Sequence, residues 1–428
     1  MQKFNSGFFI GAATAAHQVE GNNVNSDFWA QEQMVNTSYV EPSLDAVDHY
    51  NRYEEDLQLM AKAGLNAYRF SIEWARVEPQ EGVFDEAAIV HYRDVIACCK
   101  KNGLEPVVTL HHFSSPKWLI SKGGWEAETT PADFARYTRY VMEQLGGELR
   151  YVCTINEANM GIQVAAISKQ IIAQLTKAQT SGSASESQIQ MGLNIEKMLA
   201  NQEAMAEENK VVFGVADPQC FTSARTPRGD ELVMEAHKAA RAVIREVCPH
   251  VKVGLTLSLH DIQALPGGEA SAQTEWDEEF THYLPSIADD DFLGIQNYTR
   301  TLHDANGSTT PPDGAELTQM DYEYYPQGLE HVIRRVAEEF HGDLLITENG
   351  IATADDTRRV AFIETALAGV QSCIADGLPV KGYFQWSLLD NFEWQKGFSM
   401  QFGLIAVDRT TQKRFPKPSL AYLGSYCG

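Results

Sequence analysis

Short apolar runs recur along the chain, and each is followed by a longer stretch in which apolar positions return every three or four residues. The runs are FFIGAAT (8–14), NAYRFSI (66–72), PVVTL (106–110), YVCTINE (151–157), KVGLTLSL (252–259), DFLGIQNY (291–298), DLLITENG (343–350) and VKGYFQWSL (380–388). Several are apolar without alternation, as strands buried on both faces are. The intervening stretches read as helices, for instance RYEEDLQLMAKAG (52–64), EAAIVHYRDVIACCKKNG (86–103) and PADFARYTRYVMEQLG (131–146), the first two closed by glycine. Eight strand-then-helix units with no dividing linker and no internal repeat predict an α/β chain folded as a single (β/α)8 TIM barrel with extended βα loops. That expectation makes residues 1–428 one catalytic domain, with a long helical region from about 160 to 210. Two polar segments, TSGSASESQ (180–188) and HDANGSTTPPDGAELTQ (303–319), are expected as irregular loops on the side where βα loops build a site.

Composition narrows the partners. A formal charge of −24 repels phosphate backbones and anionic bilayers, which argues against nucleic acid and membrane as partners. No run reaches the ~20 apolar residues of a membrane span. The N-terminal MQKFNSGFFIGAATAAHQVEG lacks the shape of a cleaved signal. The seven cysteines show no C-x-x-C spacing, so they are expected as reduced thiols in a cytoplasmic protein. The histidines, His111 with His112 and His260 among them, show no ligand-like trio, and no metal and no cofactor are expected.

Chemistry concentrates at the C-terminal ends of the apolar runs, where Arg69, His112, Asn156, Glu157, Asn297, Tyr298, Glu348, Trp386 and Glu393 fall. One glutamate after a strand is ordinarily a charge at a helix start. Two that end the fourth and seventh strands of one barrel would face each other across its mouth. Glycoside hydrolysis requires such a pair, one carboxyl held protonated and one ionised. Glu157 follows the neutral Asn156, whereas Arg69 and Tyr298 are the residues expected to meet Glu348 and favour its charged form. That division makes Glu157 the acid/base and Glu348 the nucleophile; the bland alternative is a buried Arg69–Glu348 ion pair with no further task.

TINEA (154–158) and ITENG (346–350), with AAHQVEG (15–21), YRFSIEWARVEP (68–79), TLHHFSSPKWL (109–119), QNY (296–298) and WSLLDNFEWQKGF (386–398), closely resemble the motifs of glycoside hydrolase family one. The resemblance runs from about Phe8 to Tyr422 and implies a retaining β-glycosidase, β-glucosidase in type, acting on a small β-glycoside or disaccharide. It also implies that Gln18, His112, Asn156, Glu393 and Trp394 hold the sugar hydroxyls and that Trp386 is the stacking floor. The chain departs from the family pattern at Ala158, where proline is usual, at Phe113, where tryptophan is common, and at Gln401, where a basic residue is usual. Residues from about 158 to 230 match poorly, which leaves the aglycone side undefined. Rival readings are a 6-phospho-β-glycosidase, against which Glu393 is expected to act by repelling the phosphate, transglycosylation at the same site, and a sugar-binding barrel without turnover. A homo-oligomer is compatible with all of them.

Overall fold

The computed structural model describes residues 2–177 and 190–428, so the segment expected as a loop at 180–188 lies outside the described residues. Each of the eight apolar runs forms a strand. They are β1 (Phe9–Ala13), β2 (Ala67–Ser71), β3 (Glu105–His111), β4 (Tyr151–Ile155), β5 (Lys252–Ser258), β6 (Phe292–Gln296), β7 (Asp343–Asn349) and β8 (Val380–Trp386). Every neighbouring pair is parallel, and β1 pairs with β8 to close the barrel. Closure removes both sheet edges, so no row of backbone donors is left for another chain to pair with.

The barrel interior changes character along its axis. Towards the N-terminal ends of the strands it is filled by Phe9, Ala67, Val107, Tyr151, Phe292 and Leu345, with the Phe9 and Tyr151 rings edge-on at 5.3 Å between centroids. Glycine makes room for this plug: a Cβ on Gly254 would stand 2.1 Å from the Phe292 carbonyl oxygen. One layer further along, the inward positions become polar, with Arg69, Asn156, Thr256, Gln296 and Glu348 all buried. This is the end where the βα loops begin.

Helices cover the outside, and their starts are locally encoded. Asp85 accepts from the backbone N–H groups of Ala87 and Ala88 to open Glu86–Lys101, and Thr226 caps Pro227–Val247 with proline in the first turn. Gly64, at φ 96°, closes His49–Ala63. The region from about 160 to 210 is two helices, Met160–Lys177 and Ile195–Val212.

Segment 303–319 departs from the expectation of an irregular loop. Its first residues belong to strands Arg300–Asp304 and Gly307–Thr309 of a three-stranded side sheet, in which Arg300–Asp304 is the middle strand, parallel to Asp261–Ala264 and antiparallel to Gly307–Thr309. The strands are short and polar, so they carry no apolar run to betray them. A second hairpin, Ile405–Asp408 with Lys413–Pro416, follows β8. All seven cysteines are free. Among the described residues no helix is long and apolar enough to cross a membrane.

Candidate active site

The residues that the sequence nominates for chemistry or sugar contact come together at the C-terminal mouth of the barrel. Arg69 lies on β2 and Glu348 on β7, Trp386 ends β8, and His112, Asn156, Glu157 and Tyr298 follow the ends of β3, β4 and β6. Gln18 sits in the short helix Ala16–Val19 after β1, and Glu393 and Trp394 in the loop after β8.

Glu348 is clasped from three sides. The Arg69 guanidinium donates to its Oε1 at 2.6 Å, the Tyr298 hydroxyl to its Oε2 at 2.6 Å, and the Gln296 amide to Oε1 at 3.1 Å. The expected partners Arg69 and Tyr298 are therefore in contact with it. Gln296 is not singled out by the sequence, which points instead to its neighbour Asn297. Asn297 turns away and donates to the backbone carbonyls of Leu259 and Thr299, where it holds the loop. A register shift between Ile346 and Glu348 sets Glu348 opposite Gln296 on β6, and nothing in the sequence marks that shift.

Arg69 also donates to Asn156 Oδ1, as does Gln296 at 2.7 Å. With Thr256 Oγ1 as a third donor to that oxygen at 3.3 Å, the Asn156 amide is oriented, and its Nδ2 donates to His112 Nε2 at 3.2 Å. His112 thus carries its proton on Nδ1, a buried atom with no partner among the described residues. Burial, and then the Arg69 and His111 charges, hold its pKa well below the usual histidine range, so the ring is neutral. It stacks on Trp386 at 5.6 Å and lies 6.2 Å from Trp394.

Glu157 is held differently. Its backbone is in the left-handed region at φ 44°, fixed by its own N–H to Thr256 Oγ1 at 2.9 Å and by Ala158 N–H to the Thr256 carbonyl at 3.0 Å. Such a conformation costs a non-glycine residue about 1–3 kcal/mol and is tolerated where neighbours enforce it. Its carboxyl takes no hydrogen bond from any described residue. Burial, joined by the charges of Glu348 and Glu393, lifts its pKa well above the usual carboxylate range against the pull of Arg69. Burial also lifts Glu348, but the Arg69 charge and the Tyr298, Arg69 and Gln296 hydrogen bonds all pull it back. Of the two, Glu157 keeps the proton.

The opposite wall is built on Glu393. Gln18 Nε2 donates to the Phe392 carbonyl at 2.7 Å and to Glu393 Oε2 at 3.3 Å, and the Gly192 N–H donates to Glu393 Oε1 at 3.1 Å. Burial raises the Glu393 pKa to about 8, which leaves it protonated at neutral pH. Glu393 therefore opposes a 6-phosphate less strongly than the sequence suggests.

Gly192 belongs to the stretch from about 158 to 230, which the sequence connects with the aglycone side without naming a residue. Next to it, Gln190 accepts from the Tyr298 N–H at 2.6 Å and donates to Ser258 Oγ at 3.2 Å. Tyr322, buried with no partner for its hydroxyl among the described residues, is a second such residue; burial and then the charges of Glu393 and Glu157 push its pKa up. Both arrive from poorly patterned loops.

Beside Glu393, this pocket carries two carboxyls of split acidity, and a set of buried polar atoms, Gln18 Oε1, His112 Nδ1, Gln296 Oε1 and Tyr322 Oη, that lack partners among the described residues. Hydroxyl-rich ligands satisfy such atoms. Among the described residues, the group of His and carboxylate side chains spaced as metal ligands lies outside this pocket; it is His260 with Glu275 and Glu279, a cluster that sequence spacing alone does not reveal.

A model of glycosyl hydrolase family 1 matches residues 1–183 and 275–427. The fold superposes on the crystal structure of the β-glycosidase BGL167 with a TM-score of 0.87 at 44% identity, covering 99% of this chain and 96% of that one. By sequence the chain is 28% identical to β-glucosidase A of Thermotoga maritima, over 98% of this chain and 96% of that protein. It is likewise 28% identical to the 6-phospho-β-galactosidase of Lacticaseibacillus casei, over 98% of this chain and 96% of that protein.

Proposed function

The chain belongs to glycosyl hydrolase family 1, and from that premise we propose that it hydrolyses terminal β-D-glycosides, β-glucosides first among them, with Glu348 as nucleophile and Glu157 as acid/base. The observation that carries the assignment is the asymmetry between the acids. Three donors stabilise the charge on Glu348, while Glu157 takes no hydrogen bond from a described residue and is lifted by burial and then by its neighbours.

A Glu348 oxygen bonds to the anomeric carbon as the bond to the leaving oxygen breaks, and Glu157 gives its proton to that oxygen. Once Glu348 is an ester it is uncharged, so one cause of Glu157's raised pKa disappears. Glu157 then serves as base: it takes a proton from water as the water oxygen bonds to the anomeric carbon and the Glu348 ester opens. The configuration at that carbon is retained.

Asn156, its carbonyl oxygen already engaged and its amide on His112, is placed to hold a 2-hydroxyl together with His112. Gln18 and Glu393 offer paired donors and acceptors to the far hydroxyls, and Trp386 and Trp394 supply aromatic faces.

Initial rates on the 4-nitrophenyl β-D-glucoside, galactoside, fucoside and 6-phosphoglucoside test the reading. Turnover of the non-phosphorylated sugars, with covalent labelling of Glu348 by a 2-deoxy-2-fluoroglucoside, is expected. Turnover of the 6-phosphoglucoside alone would move the assignment to a 6-phospho-β-glycosidase, and silence with intact folding to a binding barrel.

A further inference from the structure

Residues 190–194 lie outside both stretches that the family model matches, yet they reach two walls of the pocket. One end of the segment is fastened to the loop after β8. The Gly192 N–H donates to Glu393 Oε1 at 3.1 Å, the Gly192 carbonyl accepts from the Gln395 N–H at 2.9 Å, and the Asn194 N–H donates to Gln395 Oε1 at 2.7 Å. Glycine is needed in this seat, because a Cβ on residue 192 would stand 2.6 Å from the Glu393 carbonyl oxygen. Met191 and Leu193, on either side, are buried, so the segment is packed as well as bonded.

The other end carries Gln190, whose buried side chain bridges two strand ends. Its Oε1 accepts from the N–H of Tyr298, just past β6, at 2.6 Å, and its Nε2 donates at 3.2 Å to Oγ of Ser258, the last residue of β5. Ser258 is itself fixed, its N–H on Asn159 Oδ1 at 3.0 Å and its carbonyl accepting from Asn159 Nδ2 at 2.7 Å. We propose that Gln190 is a positioning residue for the nucleophile: by holding the Tyr298 main chain it keeps the Tyr298 hydroxyl on Glu348 Oε2. This deepens the glycosidase reading and rests on it.

The three donors to Glu348 are not equally supported. Arg69 and Gln296 stand on barrel strands, where the parallel ladders fix their main chains. Tyr298 stands beyond the last ladder position of β6, so its buried N–H needs an acceptor from elsewhere, and Gln190 supplies it. The Tyr298 ring lies edge-on to Phe402 at 6.1 Å between centroids, a contact that sets its tilt and leaves it free to slide. Gln190 therefore anchors the main-chain end of a rigid lever whose other end is the hydroxyl.

The carboxylate depends on that lever. Arg69 and Gln296 both bond Oε1, whereas Tyr298 bonds Oε2. Without Tyr298 in place, Oε2 keeps no donor among the described residues and the carboxylate turns about its Oε1 contacts. Attack on the anomeric carbon requires it to be aimed, and small misplacements there are costly.

The test uses the full chain and 2,4-dinitrophenyl 2-deoxy-2-fluoro-β-D-glucoside, which forms the Glu348 ester slowly enough to separate its dissociation constant from the first-step rate constant. Gln190→Met keeps the side-chain length without the acceptor. It should lower the rate constant by about 10- to 100-fold and leave the dissociation constant within about twofold. In a Tyr298→Phe background the same change should alter the rate constant by less than about twofold, because no hydroxyl remains to be aimed. A merely structural Gln190 would add its loss there in full. Gln190→Asn, which draws the amide back by one methylene, should behave like Gln190→Met and replaces it in the same cycle if that variant does not fold. A parent-like rate in a folded variant, full additivity with Tyr298→Phe, or failure of both variants to fold would overturn the proposal. A parent that is never labelled would instead end the glycosidase reading, and this role with it.

Discussion

The two ends of the barrel interior are built from the same eight strands and behave as different materials. At the N-terminal end, Phe9, Tyr151, Phe292 and Leu345 pack as an apolar plug that makes no demand on solvent or ligand. Towards the C-terminal ends of the strands, Arg69, Asn156, Gln296 and Glu348 are equally buried but form a hydrogen-bonded lattice around charges. The first layer supplies the stability that the second spends, because buried charge and the left-handed Glu157 both cost free energy. Proteins place such local conflicts where function needs them.

Substitutions can break or sharpen this contrast. The largest effect is expected from Glu348→Ala: kcat/KM for 4-nitrophenyl β-D-glucoside should fall by about 10⁵-fold or more while circular dichroism stays native. A residual rate within tenfold of the parent would remove Glu348 from the chemistry. Glu157→Ala should cost about 10²–10⁴-fold on alkyl glycosides, less on the nitrophenyl substrate, whose leaving group needs little protonation, and azide should restore part of the loss.

At the other end, Phe292→Ala should leave kcat/KM nearly unchanged but lower unfolding stability by about 3–5 kcal/mol, read as a drop in Tm. If it altered substrate affinity as strongly as the mouth variants, the two layers would not be separable.

The smallest effect sharpens the contrast most. Folding raises the Glu393 pKa from its ordinary value to about 8, so its penalty is absent below about pH 4.5, grows as the unfolded chain ionises first, and is complete above pH 8. Glu393→Gln should therefore raise Tm relative to the parent by a few degrees at pH 8 and by almost nothing at pH 4.5, while weakening substrate binding. Equal Tm values at both pH values would show that Glu393 is not held protonated by the fold.

Much of the fold and of the site is legible in the order of the amino acids. The apolar runs mark all eight barrel strands, because strands buried on both faces need no partner to announce themselves. Gly64 and Gly103 stop helices where their conformational freedom leads one to expect it. Glu157, Glu348 and their companions stand out as polar residues at strand ends. The side sheet of Asp261–Ala264, Arg300–Asp304 and Gly307–Thr309 does not, since its strands are too short and too polar to show a period. Gln296 is passed over for Asn297 because adjacent polar residues at a strand end look alike until the register is known. The group His260, Glu275 and Glu279 is hidden for a related reason: its members lie on a strand extension and a helix whose packing no spacing rule describes.

By itself, then, the sequence determined which segments become strands and helices and which side chains bring chemistry, because apolar period, caps and residue type act over a few neighbours. Only the tertiary structure decided that Glu348 meets Gln296 rather than Asn297, that Gly192 reaches Glu393 across the pocket, and that Glu157 is left without a donor among the described residues. Those outcomes follow from closing eight strands in one register, a condition on the whole ring that no local window contains.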